Sequence, residues 1–130
     1  MLTDAERKTF NRIADELIPA HQPMPAFSRS GADPVHVDRV LTLRPEVLTD
    51  LRHALKLAEN SDAEALNRDH PMAIGAIGLV ASSAYYLVPE IRDLLGYPGQ
   101  IQRPAEDHEE HDYADLIQPV VDRGPIYRRP

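Results

Sequence analysis

PMAIGAIGLVASSAYYLVP, residues 71–89, runs its whole length without a charged side chain. It is about as long as the ~20 apolar residues a membrane helix needs. Gly75, Gly78, Ser82, Ser83, Tyr85 and Tyr86 dilute it, however, and a chain of this size needs a central helix that is apolar all round. The stretch therefore predicts a buried core helix over roughly 72–87, and that reading decides the fold. Gly75 and Gly78 each cost about 1 kcal/mol relative to alanine in a helix interior. That cost predicts another helix approaching closely at those positions.

Working back toward the N-terminus, Asp69-His70-Pro71 closes a short segment, Ala63 to Arg68, which follows a break at Asn60-Ser61-Asp62. Before the break Pro45 starts a helix with Val47, Leu48, Leu51, Leu55 and Leu57 along one side. Asp33-Pro34 reads as an N-cap followed by proline at the first helical position. It opens a helix whose Val35, Val37, Val40 and Leu41 form the apolar face up to about Leu43. Residues 19–32, PAHQPMPAFSRSGA, hold three prolines and a glycine and read as a loop. The first helix opens on Thr3-Asp4-Ala5-Glu6, a capping box in which hydroxyl and carboxylate each satisfy a free backbone N–H. Leu2 staples onto the following turn, Phe10, Ile13, Ala14, Leu17 and Ile18 recur at helical spacing, and Pro19 ends the element.

On the other side, Pro89 opens a short turn of helix, PEIRDLL, that Gly96 terminates. Beyond it glycine, proline and charge replace periodicity. One brief helix is predicted from Tyr113 to Asp122, with Leu116, Ile117, Val120 and Val121 facing the core. No stretch alternates as a strand between hairpin turns. The fold class is all-α: a small irregular bundle of about five helices. Residues 1–95 form the helical core, and residues 96–130 form a long Gly/Pro-rich C-terminal tail packing on the core and on a partner, as one domain overall.

Composition removes several function classes. The 130 residues suit one domain. No cysteine is present, which excludes disulfides, thiolate zinc sites, iron–sulfur clusters and cysteine nucleophiles. Fourteen basic against twenty-one acidic residues give a net charge of −7, which argues against nucleic-acid backbone binding. Tryptophan is absent and aromatics are 5%, so stacking platforms for bases are not expected. The charged N-terminus lacks the apolar segment of a secretory signal, and the Arg128-Arg129 pair stands at the wrong end for twin-arginine export. No membrane span is expected, and the chain as it stands reads as cytoplasmic, or periplasmic if an export leader has been removed.

Chemistry-bearing clusters are few. His108-Glu109-Glu110-His111 places two imidazoles among carboxylates, a valid ligand set for zinc or iron. No apolar positions surround it to supply a second shell, and it reads as a solvated acidic run. Asp33-x-x-His36 and Asp50-x-x-His53 repeat a spacing that bundles use for dinuclear sites. No inward glutamate accompanies them, and Asp33 is already assigned to a cap. Ser82 and Ser83 have no activating base and read as packing residues or donors to the preceding turn. GAIG at 75–78 has neither the lysine nor the preceding strand of a phosphate loop. Tyr85 and Tyr86 read as core aromatics whose hydroxyls reach the surface. No catalytic, cofactor-binding or metal residue is assigned.

What stands out is GYPGQ (96–100) and DRGPIYRR (122–129), rich in Tyr and Arg, the types enriched at protein–protein hot spots. Glycine and proline hold such segments in fixed shapes, which lowers the entropy lost on docking. A wrapping role, with Tyr97 and Tyr127 as plugs on the core, fits these segments equally well. The interface residues are Gly96, Tyr97, Pro98, Gly99, Arg123, Gly124, Tyr127 and Arg128.

With LTDAERKTFNRIADELIP at the start, MPAFSRSGADPVHVDRVL in the loop, RDLLGYPGQ after the apolar helix and PVVDRGPIYR at the end, the chain resembles the gluconate 2-dehydrogenase subunit 3 family. GYPG followed by the terminal RG-x-x-YR is the most specific part of that resemblance. It implies a small subunit that does no chemistry and holds no cofactor. Its partner would be a large GMC-type subunit that carries FAD and oxidises an alcohol group of a sugar, polyol or sugar acid. A cytochrome c subunit would take the electrons. Small subunits of that family commonly carry a twin-arginine leader and support folding, stability or export of the large one, and this sequence shows no such leader. Two other readings stay open: a small metal-binding protein using His108 and His111, and a stand-alone helical module self-associating through the Gly75/Gly78 face. Copurifying flavin, stoichiometric metal and self-association without a partner distinguish the three.

Overall fold

The uncharged stretch forms the central helix of an all-α chain. The computed structural model describes residues 1–100 and 109–126, the side chains of 109–114 excepted. Its helices are α1 (Asp4–Leu17), α2 (Val35–Leu43), α3 (Val47–Ala58), α4 (Ala63–Asp69), α5 (Pro71–Tyr85), α6 (Pro89–Leu94) and α7 (Glu109–Arg123), with one 3₁₀ turn at Phe27–Arg29. No strand occurs among the described residues. The short segment after the Asn60-Ser61-Asp62 break is itself a helix, α4, and the short turn expected after Pro89 is α6, each started by its own local signal. Asp62 caps α4 by accepting from the Ala65 N–H at 2.8 Å, and Pro89 occupies the first turn of α6. None of the helices is long and apolar enough to cross a membrane among the described residues. The chain divides into two compact units, Met1–Gly99 and Gln100–Pro130.

In the first unit, α3, α2, α4 and α1 all pack against α5. The core draws Phe10 and Ile13 from α1, Val37 from α2, Leu51 and Leu55 from α3, Leu66 from α4 and Ile77 and Val80 from α5. The α5 helix is central but not covered on every side, since Met72 is 86% exposed and Leu79 and Tyr86 are exposed with it. The expected close helix approach at the glycines is corrected. A Cβ on Gly75 would meet nothing within 4 Å, and one on Gly78 would meet only the Leu17 side chain at 3.8 Å, an ordinary contact. Neither glycine serves packing within this unit, so Gly75→Ala and Gly78→Ala should each raise stability by about 0.5–1 kcal/mol. Urea unfolding checks this, and a loss of stability in either variant would refute it.

The capping box of α1 is formed as the sequence predicts. The Glu6 N–H donates to Thr3 Oγ1 at 3.3 Å, and the Thr3 N–H donates to Glu6 Oε2 at 2.7 Å. Leu2, just outside the cap, is buried in the core. The Thr3 backbone bond, assisted by the Thr3 hydroxyl and Arg52, holds the Glu6 carboxyl below its ordinary value of 4.5 against the opposing effect of burial. A carboxylate whose folded pKa is depressed stabilises fully above its unfolded pKa and loses that contribution as pH falls through the folded one. Glu6→Gln keeps the acceptor and removes the charge. The wild type should therefore exceed this variant in stability at neutral pH, and the two should converge below the ordinary carboxylate range. Parallel urea curves at every pH would refute the charge term.

Two further expectations are corrected in this unit. Asp33 does not cap α2, which starts at Val35 without a side-chain cap. Its carboxylate is occupied elsewhere, accepting from the Arg7 guanidinium and, at 2.9 Å, from Asn11 Nδ2. Residues 19–32 form the expected loop, with one 3₁₀ turn, and its side chains enter the core. Phe27 and Ala32 are fully buried, the Ser28 N–H donates to Asp15 Oδ1 at 2.8 Å, and Tyr85 Oη donates to the Pro25 carbonyl at 2.7 Å. Burial, with a smaller contribution from Tyr86, pushes the Tyr85 phenol above its usual range. Tyr85 is thus a core aromatic, but its hydroxyl ends on the loop rather than at the surface. Ser82 Oγ donates to the Gly78 carbonyl at 2.8 Å, the back-bond expected of a helical serine.

In the second unit α7 starts earlier than Tyr113, at Glu109. Pro119 lies inside it. Leu116, Ile117, Val120 and Val121 share one side, as their spacing predicts, but they are exposed rather than facing a core. A unit of this length has too little chain to cover an amphipathic helix by itself.

Candidate partner-docking site

The segment singled out by GYPG is held by the end of α6. That helix needs only Ile91 to anchor it in the core, and it stops at a left-handed glycine. Gly96 has φ +65°, its N–H donates to the Asp93 carbonyl at 3.0 Å, and the Tyr97 N–H donates to the Arg92 carbonyl at 2.9 Å. These two bonds are the Schellman closure of a helix C-terminus. A side chain in the left-handed region costs about 1–2 kcal/mol, which is why glycine stands there. The closure fixes the backbone of Tyr97 while leaving the residue 54% exposed. Leu94 and Leu95 are exposed beside it in sequence. Asp93, Gly96, Tyr97 and Pro98 line a shallow depression of about 310 Å³. Gly99 follows with φ +86°. The closure at Gly96 therefore sets Tyr97 just beyond two exposed leucines at the end of α6, with Pro98 and Gly99 continuing the chain without further backbone bonds among the described residues.

The other half of the expected interface belongs to the second unit. Arg123 is the last residue of α7 and is exposed. Gly124 ends the helix with φ +65° and an N–H donated to the Val121 carbonyl at 3.1 Å. Ile126 is exposed beyond it. Tyr127 and Arg128 lie outside the described residues. Leu94 and Leu95 were not among the residues the sequence put forward, and both are exposed. The signal that distinguishes them is length: two turns of helix can turn only one or two side chains inward.

The metal candidates resolve less. His108 lies outside the described residues, as does the side chain of His111. Among the described residues no three histidine, aspartate or glutamate side chains are grouped to hold a metal ion. Asp33 is engaged by Arg7 and Asn11. Asp50 and His53 instead line a groove of about 520 Å³ between α3 and α5, whose apolar wall includes Val47, Met72 and Leu79. Arg44 and Glu46 at its edge are paired with each other at 2.6 Å. Such a groove can hold an apolar surface.

Comparison with family models, curated proteins and solved structures finds no match to the chain.

Proposed function

We propose that this chain is the non-catalytic small subunit of a flavin-dependent, GMC-type sugar or polyol dehydrogenase, supporting the folding, stability or export of a large FAD-carrying subunit. The observation that carries the reading is the sequence pattern: GYPG at 96–99 with RG-x-x-YR at 123–128, behind an opening LTDAERKTFNRIADELIP, as in the gluconate 2-dehydrogenase subunit 3 family. The exposed Tyr97, its backbone held by the closure of α6, supports it, since a rigid aromatic binds with little entropy lost. In this reading the chain holds no cofactor, FAD resides in the partner, and a cytochrome c subunit accepts the electrons. Residues 96–99, Arg123, Gly124, Tyr127 and Arg128 contact the large subunit.

A tagged pull-down from the native host tests this directly. The expected eluate is yellow, holds one large polypeptide and shows flavin absorbance. A colourless eluate containing this chain alone overturns the proposal. With the partner in hand, replacing Tyr97 and Tyr127 by alanine together should weaken the complex by about 2–4 kcal/mol, more than tenfold in Kd. An unchanged Kd, measured by titration calorimetry, would remove these residues from the interface while leaving the partnership standing.

A further inference from the structure

We draw no further inference here: the strongest candidate, the apolar groove between α3 and α5 above which Met72 and Leu79 stand exposed, is an unpartnered face and nothing in the structure shows what covers it.

Discussion

Phe27→Ala should destabilise the helical unit by about 3–5 kcal/mol, the cost of removing a buried phenylalanine and leaving its cavity. Phe27 has no exposed surface. Its ring meets Phe10 of α1 edge-on, at a centroid distance of 5.4 Å and 84°, and lies 6.5 Å from Tyr85 of α5 at 28°. The same residue fixes the backbone of its loop, donating its N–H to the Ile18 carbonyl at 3.1 Å. Truncation therefore removes a shared partner of two helices and frees a loop whose Pro25 carbonyl accepts from Tyr85. Against a total stability of about 5–15 kcal/mol for an ordinary domain, such a loss brings the unit close to unfolding. Urea denaturation should show a lower midpoint at unchanged slope. Phe27→Leu, which keeps most of the volume, should cost clearly less. A loss below about 1 kcal/mol for the alanine variant would place Phe27 outside the core.

What the sequence disclosed and what it hid follow one division. Local signals read true: the Thr3–Glu6 box, Pro19 after α1, Pro89 at the start of α6 and Gly96 at its end all act within a turn of the chain. Periodicity also located α1 and α3, because burying one face of a helix leaves a pattern in its own sequence, and the uncharged run located α5. The loop over 19–32 shows why the remainder was not legible. Its prolines and glycine report backbone geometry, and they say nothing about where the Phe27 ring goes. That is decided by Phe10 and Tyr85, which lie far from it in the chain. Asp33 is the same case for a polar group. Aspartate before proline fits a helix start, but Arg7, 26 residues earlier, takes the carboxylate instead. The side of α7 was legible and its exposure was not, since exposure depends on how much other chain is there to cover it. At the end of α6 the stop at Gly96 was legible because glycine marks a left-handed C-terminus, whereas the exposure of Leu94 and Leu95 carried no mark in the sequence.

Arg7→Ala should be the costliest change among the charged residues. The Arg7 guanidinium on α1 is only 17% exposed and bridges two carboxylates that are 12% and 22% exposed, Asp33 and Asp38. One terminal nitrogen donates to Asp33, and the other donates to both Asp38 oxygens at 2.6 and 2.8 Å. Burial works against the charge on Arg7, but the hydrogen bonds to Asp38 and Asp33 outweigh it and raise its pKa. This pairing ties α1 to the start of α2, where no side-chain cap holds the helix. Without Arg7, two largely covered carboxylates lose their common counter-charge, and Asn11 alone remains on Asp33. Breaking a buried ion pair costs about 3–5 kcal/mol, and the residual exposure here lowers the expectation to about 2–3 kcal/mol. Arg7→Lys should recover only part of this, because an ammonium is a point charge and not a planar fork matched to two acceptors. The decisive comparison is the double variant Arg7→Ala with Asp38→Asn. Removing one carboxylate charge leaves less uncompensated charge behind, so the double variant should be more stable than Arg7→Ala alone. Strict additivity of the two single changes would mean that Arg7 and Asp38 are not coupled, and the polar tie from α1 to the start of α2 would then run through Asp33 alone.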